Sequence, residues 1–146
     1  MLADRYIVNV EAAIARDGRY LMIVRSEEEF APGGLNFPGG KVEGREGTDD
    51  VLEDTLRREI AEEVGLEVDD EMAYLRSSAF LAEGDPVVDV VFLCRWESGI
   101  AVAADPAEVA AVRWLTADEA IAHPETPPWT RLSLKLAEKA RVARGW

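Results

Sequence analysis

Residues 37–66 constrain the fold of this chain more than any other part of the sequence. The segment opens with Pro38, Gly39 and Gly40, which do not propagate regular secondary structure. Glycine also allows backbone conformations and close approaches that other residues forbid. We therefore expect a tight loop at this point.

A helix with one apolar face is predicted directly after this loop. Residues 49–64 contain neither Gly nor Pro, and Gly65 is a typical helix stop, so the pattern favours a helix of roughly four turns. Thr48, Asp49 and Asp50 are all residue types that cap helix N-termini. Every fourth residue is apolar, which indicates a buried stripe formed by Leu52, Leu56, Ile60 and Val64.

Three glutamates, Glu59, Glu62 and Glu63, follow the spacing i, i+3 and i+4 on this helix. At roughly 100° per residue they fall within about a third of the helix circumference, so we expect the three carboxylates to converge. Like charges that close repel unless a cation lies among them or water screens them. Hard oxygen ligands suit Mg²⁺, Mn²⁺ or Ca²⁺, and Mg²⁺ commonly bridges carboxylates to substrate phosphates. A solvated acidic helix face is the alternative interpretation.

The residues around these glutamates form a longer motif. Arg58 opens the run REIAEEVGL, and Gly40 and Glu46 stand before it with the spacing glycine, five residues, glutamate. Together they resemble the Nudix box, the signature of the Nudix hydrolases. Eleven residues separate Glu46 from Arg58, four more than is usual in that family. Either the loop is longer and Glu46 keeps its role, or Asp50, which has the usual spacing to Arg58, replaces it.

The resemblance implies one Nudix hydrolase domain over residues 1–146, with an α/β fold. This fold is an α-β-α sandwich with a mixed β-sheet, in which the box forms a loop-helix-loop. The resemblance also implies Mg²⁺ as the cofactor, with Mn²⁺ as a substitute. The implied metal ligands are the carbonyl oxygen of Gly39 and the side chains of Glu59, Glu62, Glu63 and Glu108. The implied catalytic residues are Glu59, Glu62, Glu63 and Arg58, and the structural box residues are Gly40, Glu46 and Gly65.

Two of these roles can be described physically. Mg²⁺ bound by Glu62 and Glu63 would neutralise charge and activate a water, while Glu59 could hold a second ion or accept the proton, so we expect loss of Glu62 or Glu63 to abolish turnover. Arg58 is expected to be structural, by binding Glu46 or Asp50 and so fixing the loop.

Substrate contacts are assigned to Arg25, Phe37 and Lys41, although Arg25 could instead form a surface ion pair with glutamates among residues 27–29. Residues 35–43, LNFPGGKVE, are similar to the MutT-like branch, which hydrolyses nucleoside triphosphates to monophosphate and pyrophosphate. A (deoxy)nucleoside triphosphate is therefore the expected substrate. The alternatives are ADP-ribose or another nucleotide sugar, a non-catalytic nucleotide-sensing domain, and an acidic interaction module without a ligand.

The rest of the chain alternates strand and turn patterns and then becomes helical. Strands are predicted at residues 6–14, 19–24, 72–82, 87–96 and 109–115, and helices at residues 116–123 and 130–142. Asp17-Gly18 predicts a hairpin turn between the first two strands. Residues 26–34 are acidic and then rich in Gly and Pro, which predicts a mobile lip.

Composition narrows the partners and the compartment. A net charge of −13 argues against duplex nucleic acid or an anionic membrane as a partner and leaves a small nucleotide. The single Cys94 excludes an internal disulfide, and neither a signal peptide nor an apolar run of ~18 residues is present, so a cytoplasmic protein is expected. Exposed strand edges and the habit of the Nudix family are compatible with a homodimer.

Overall fold

The computed structural model describes residues 4–26 and 34–146. Most of the predicted lip at residues 26–34, including the glutamates suggested as partners of Arg25, lies outside these residues. The described elements, in chain order, are β1 (Ile7–Arg16), β2 (Arg19–Arg25), β3 (Leu35–Asn36), β4 (Gly39–Lys41), α1 (Val51–Val64), β5 (Glu67–Val68), β6 (Ala73–Ala82), β7 (Asp85–Ser98), β8 (Val109–Thr116), α2 (Ala117–Ala122) and α3 (Pro128–Arg144). Every predicted strand and helix is present, with ends shifted by no more than two residues.

Strand β1 is the centre of a mixed sheet. It runs parallel to β7 over nine residue pairs, from Ile7 opposite Val87 to Ala15 opposite Arg95. It pairs antiparallel with β4 along one half and with β2 next to the connecting turn. Strand β6 then pairs with β7, and β8 pairs with β2. The sheet therefore has both parallel and antiparallel neighbours, which confirms the predicted mixed order.

The two hairpins turn at residues that accept a left-handed backbone. Asp17 and Gly18, between β1 and β2, have φ of 49° and 75°. Glu83 and Gly84, between β6 and β7, have φ of 51° and 88°. Consecutive positive φ values match the right-handed twist of paired strands, which explains why a two-residue turn suffices at both places.

A hydrophobic core lies on each face of the sheet. Helix α1 covers one face, where Leu56 and Ile60 pack with strand residues such as Val10. Helices α2 and α3 cover the other, where Ala120 and Leu134 pack against its strands. The α-β-α sandwich is confirmed. In the described residues no helix is long and apolar enough to cross a membrane.

The Gly-rich segment differs from the expectation of an irregular loop. Gly39–Lys41 forms the short strand β4, with Gly39 opposite Glu11 and Gly40 opposite Val10. A Cβ atom on Gly39 would lie 2.1 Å from the carbonyl oxygen of Val10. Glycine is therefore required here because the two backbones approach too closely for any side chain.

The helices begin and end at or near the predicted residues, but not every predicted capping hydrogen bond is present. Asp50 is the N-cap of α1, yet it has a left-handed backbone with φ of 52° and its side chain makes no capping hydrogen bond. Gly65 ends the same helix with φ of 70°. Thr116 and Glu119 form the complete capping box predicted for α2.

Candidate active site

A cleft of about 400 Å³ opens where β1, β2, β4, α1 and the loop before β8 meet. Its lining is mostly polar and strongly acidic. The residues that line it are Asn9, Glu11, Ile23, Arg25, Phe37, Gly39, Gly40, Lys41, Glu43, Glu59, Glu63 and Glu108. Eight of the residues predicted from the sequence are therefore brought to one place: Arg25, Phe37, Gly39, Gly40, Lys41, Glu59, Glu63 and Glu108.

Glu63 is the most buried of the three helix glutamates. It is only 4% exposed, and its Oε1 atom has no hydrogen-bond partner in residues 4–26 and 34–146. Burial, followed by repulsion from Glu108 and Glu59, raises the pKa of its carboxyl group to about 8. The backbone N–H of Gly39 donates a hydrogen bond to this carboxylate and opposes the rise. A cation beside this carboxylate would stabilise its charged form.

Two more carboxylates share the cleft with Glu63. Glu59, one turn earlier on α1, lies within hydrogen-bond distance of Glu63, and burial followed by repulsion from Glu62 raises its pKa. Glu108 comes from the loop before β8 and is close enough to repel both. Its backbone is fixed on both sides, since its carbonyl oxygen accepts from Ser26 N–H at 3.0 Å and its N–H donates to Asp105 at 3.1 Å.

Glu62 does not join this group. Its side chain is 63% exposed and does not line the cleft, so only two of the three helix carboxylates converge. Helix geometry explains the difference. With about 100° per residue and Glu59 as reference, Glu63 lies at about 40°, between Leu52 and Leu56 of the buried stripe. Glu62 lies at about −60°, outside that stripe and towards solvent.

Arg58 makes different ion pairs from those expected. Its guanidinium lies 3.8 Å from carboxylate oxygens of Glu43, Glu59 and Glu62. None of its described ion pairs involves Glu46 or Asp50, so the expected tie to either residue is wrong. Glu43 is the loop carboxylate that pairs with Arg58.

Of the remaining box residues, Glu46 and Gly65 lie outside the cleft and Gly40 lines it. Glu46 is exposed, and Gly65 is the C-cap of α1. Gly40 packs directly against a cleft carboxylate, since a Cβ atom there would lie 2.5 Å from the carboxyl carbon of Glu59. Glycine at this position therefore makes room for the Glu59 carboxylate.

Two cations face the acids. Arg25 at the end of β2 and Lys41 in β4 both line the cleft, and Phe37 lies beside them with 1% of its surface exposed. Positive side chains next to a group of carboxylates suit an anionic ligand that arrives with its own metal ion.

Sequence reasoning missed the polar residues on the strands of this site. Asn9 and Glu11 line the cleft from β1, and Asp89 of β7 lies behind them. A signal was available: each is a polar residue inside a strand whose neighbours are apolar, and such a residue is buried only when it has a polar environment. No motif pointed to them.

The donor groups of the cleft fit a hard divalent cation. Carboxylate oxygens are the side-chain ligands available at its acidic end, and the buried Oε1 of Glu63 lacks a partner. In residues 4–26 and 34–146, however, no three acidic, Cys or His side chains are already arranged as a metal-binding group. A bound ion would thus complete its coordination with a substrate or water, as Mg²⁺ commonly does.

Comparison with known proteins agrees with this geometry. The family model described as NUDIX domain matches residues 5–136. The chain is 30% identical to the MutT NUDIX hydrolase from Burkholderia pseudomallei, covering 91% of this chain and 98% of that one, with a TM-score of 0.77. It is 27% identical to the E. coli ORF135 protein, covering 96% and 94%, with a TM-score of 0.73.

A third structure shares the fold at lower identity. The NUDIX domain of Shewanella oneidensis NrtR, solved in complex with ADP ribose, is 22% identical and covers 97% of this chain and 90% of that one, with a TM-score of 0.69. No curated protein matches the chain. The matched domain and the acidic cleft built from its box together identify this chain as a member of the Nudix hydrolase family, which acts on nucleoside diphosphate-linked substrates.

Proposed function

We propose that this protein is a Mg²⁺-dependent pyrophosphohydrolase that converts a (deoxy)nucleoside triphosphate and water to the monophosphate and pyrophosphate. The observation that carries the proposal is the partnerless, buried Oε1 of Glu63 in a cleft that also holds Glu59, Glu108 and two cations. Mn²⁺ is expected to substitute for Mg²⁺, because both prefer oxygen ligands.

The barrier to this reaction is electrostatic. The negative oxygens of a phosphoanhydride repel an attacking water, so catalysis requires charge neutralisation, orientation and a base. Glu63 and Glu59 would hold Mg²⁺, and the bound ion would supply charge neutralisation and lower the pKa of a water. Arg25 and Lys41 line the same cleft and would bind the phosphate oxygens.

The remaining acid is suited to proton transfer. Glu108 lies close to Glu63 but comes from a separate loop, so it accepts the proton of the attacking water while the helix glutamates hold the metal ion. The water oxygen then bonds to phosphorus while the bridging P–O bond breaks and pyrophosphate leaves with the electron pair. Arg58 orients Glu59 from outside the cleft.

A hydrolysis screen tests the proposal. Purified protein is given dNTPs, ADP-ribose, dinucleoside polyphosphates or coenzyme A with Mg²⁺ or with EDTA, and products are separated by ion-exchange chromatography. The expected result is metal-dependent release of pyrophosphate from a dNTP. Release of AMP and ribose 5-phosphate from ADP-ribose alone would favour the nucleotide-sugar alternative.

A non-catalytic nucleotide sensor is the second candidate, since the fold is shared with the NrtR domain solved with ADP ribose. That candidate predicts saturable nucleotide binding by calorimetry with no product in the same samples after prolonged incubation. Nucleotide binding alone does not require a buried carboxylate oxygen that lacks a partner in the described residues, so Oε1 of Glu63 favours the enzyme.

A further inference from the structure

A second cavity, of about 230 Å³, lies at the other end of β1 from the acidic cleft. Glu11 in the lining of the cleft and Arg16 in the lining of this cavity are separated by roughly 16 Å of strand, at about 3.3 Å per residue. Pockets for drug-sized ligands usually measure roughly 300–1,000 Å³. The second cavity therefore suits a smaller molecule than a whole nucleotide.

The lining of this cavity is basic, although the chain as a whole has a net charge of −13. Three arginines line it: Arg16 at the end of β1, Arg95 in β7 and Arg141 in α3. Asp17 is the only acid that the described part of the chain adds to the lining, and its side chain is 93% exposed and so projects into solvent. The cavity therefore attracts an anion, whereas the rest of the molecule repels one.

Indole rings hold two of these arginines in place. The guanidinium carbon of Arg16 lies 3.8 Å from the centroid of the Trp96 ring, and that of Arg95 lies 4.9 Å from the centroid of the Trp146 ring. Both tryptophans also line the cavity. The N–H groups of a guanidinium lie in its own plane, so stacking on a ring leaves them available to a ligand. Stacking also reduces the side-chain freedom that is lost when an anion binds.

Arg16 and Arg95 have N–H donors that the protein does not use. Within residues 4–26 and 34–146 the one ion pair of Arg16, with Asp17, spans 3.9 Å, which is too long for a hydrogen bond. Arg95 donates one hydrogen bond, from Nη2 to Oδ2 of Asp69 at 3.3 Å. An arginine has five N–H donors, so both residues keep donors for a ligand.

Arg141 differs from the other two arginines because the protein already uses its donors. Its Nε donates to Oε2 of Glu138 at 3.2 Å, and its Nη1 donates to the carbonyl oxygen of Trp146 at 2.6 Å. These bonds fix Trp146 beside Arg95. Arg141 therefore forms a wall of the cavity and leaves the binding of an anion to Arg16 and Arg95.

Two available guanidinium groups restrict the chemistry of the ligand. Guanidinium groups bind phosphate and carboxylate oxygens through paired N–H donors. Two of them at one cavity favour an anion that carries more than one negative charge on several oxygens. Inorganic phosphate and pyrophosphate meet both conditions and are small, whereas a single carboxylate has one charge and two oxygens. The same positive charges oppose a divalent cation.

We infer that Arg16 and Arg95, held by Trp96 and Trp146, form a second binding site for a small phosphoryl anion, such as pyrophosphate, outside the acidic cleft. The site shares no residue with that cleft, so the inference does not depend on the proposed function. Free pyrophosphate and the phosphate group of a nucleotide have the same chemistry, and the test compares them.

Anion binding in the absence of metal tests the inference. In EDTA the acidic cleft has no metal ion to attract an anion, so binding reports on the basic cavity. Calorimetry measures the Kd of pyrophosphate for the wild type, Arg16→Gln, Arg95→Gln and Arg113→Gln, the last at an exposed residue outside both cavities. We expect Arg16→Gln and Arg95→Gln each to weaken binding about tenfold or more, because each removes a charged donor, and Arg113→Gln to match the wild type.

Two further variants and three further anions sharpen the test. Arg16→Lys keeps the charge but loses the planar fork, so its Kd should lie between those of the wild type and Arg16→Gln. Lys41→Gln removes a cation of the acidic cleft and should leave the Kd unchanged. Phosphate, dAMP and citrate are titrated into the wild type, and circular dichroism confirms that every variant is folded. We expect citrate to bind more weakly than pyrophosphate.

Each other outcome is decisive. If pyrophosphate does not bind the wild type in EDTA, or binds Arg16→Gln and Arg95→Gln as tightly as the wild type, the inference is wrong. If Lys41→Gln weakens binding, the anion lies in the acidic cleft and the second site is overturned. Citrate that binds as tightly as pyrophosphate would overturn the phosphoryl assignment. Tighter binding of pyrophosphate than of dAMP would identify the free anion as the ligand, and the reverse order would identify the nucleotide phosphate. Pyrophosphate binding without hydrolysis of any nucleotide would refute the proposed function alone.

Discussion

The N–H of Gly39 donates a hydrogen bond to the carboxylate of Glu63 and so joins strand β4 to helix α1 at the acidic end of the cleft. Without this bond the Gly-rich strand and the glutamate helix would be two separate features of the sequence. Because Gly39 has no side chain, β4 approaches β1 closely, and the same glycine positions the buried carboxylate of Glu63.

Alanine substitutions at the two neighbouring glycines should therefore have different effects, one on stability and the other on kcat. Gly39→Ala places a Cβ atom 2.1 Å from the carbonyl oxygen of Val10, which is backbone, so we expect a loss of about 2 kcal/mol or more in the free energy of unfolding. Gly40→Ala meets the movable side chain of Glu59, so stability should change little while kcat falls more than tenfold. Urea denaturation and steady-state kinetics on both variants check the contrast. Equal destabilisation of the two would contradict it.

The three box glutamates should differ in importance. Glu63→Gln and Glu59→Gln remove carboxylates inside the cleft and should lower kcat by roughly a hundredfold or more. Glu62→Gln alters a side chain that is 63% exposed, and we expect a loss of about tenfold at most. This ranking revises the expectation from sequence that Glu62 and Glu63 matter equally. Kinetics of the three variants beside Glu97→Gln decide it, and a Glu62→Gln loss as large as that of Glu63→Gln would show the ranking to be wrong.

Stability in the absence of metal should fall as the pH rises. The pKa of Glu63 is about 8 in the folded protein against an ordinary value of 4.5. Between these values the folded state keeps a proton that the unfolded state releases, so the stabilisation is complete below pH 4.5 and is lost as the pH passes through 8. Each pKa unit corresponds to about 1.4 kcal/mol, which gives a change on the order of a few kcal/mol.

Glu63→Gln should flatten this slope and should be more stable than the wild type at pH 8 in EDTA. The slope will not vanish, because burial and Asp89 also raise the pKa of Glu11. Denaturation curves at several pH values between 5 and 9 measure the effect. A wild-type stability that rises over this range would contradict the assigned environment of Glu63.

Arg58 should fix the loop through its ion pair with Glu43 and not through Glu46, the first glutamate of the box motif. Glu43 lines the cleft and is one of the three carboxylates paired with Arg58. We therefore expect Glu43→Gln to lower kcat/KM several-fold. Glu46→Gln changes an exposed residue and should leave both rate and stability unchanged. A larger effect of Glu46→Gln than of Glu43→Gln would restore the original assignment.

Periodicity and turn chemistry were sufficient to predict most of the fold. Helix α1 ends at Gly65 because glycine accepts the left-handed backbone, and the hairpin turns at Asp17-Gly18 follow the same rule. The strand β4 could not be predicted, because Gly-rich segments carry no strand signal. Its formation depends on a close contact with Val10, which belongs to a distant part of the chain.

The candidate site was predictable only as far as its motif extends. The spacing of the glutamates placed Glu59 and Glu63 correctly, and the buried stripe of α1 also contained the information that Glu62 turns away. The position of Glu11 in the cleft follows from its pairing with Gly39 and from the approach of Asp89 on β7. These contacts join residues far apart in sequence, and no local pattern encodes them.

The most direct test of the account is the binding of a divalent ion to Glu63. Mn²⁺ titrations followed by electron paramagnetic resonance, with and without a non-hydrolysable dNTP analogue, measure the Kd for the wild type, Glu63→Gln and Glu97→Gln. The account predicts that Glu63→Gln weakens Mn²⁺ binding at least tenfold and abolishes metal-dependent pyrophosphate release, while Glu97→Gln matches the wild type. Unchanged Mn²⁺ affinity and turnover in Glu63→Gln would contradict it.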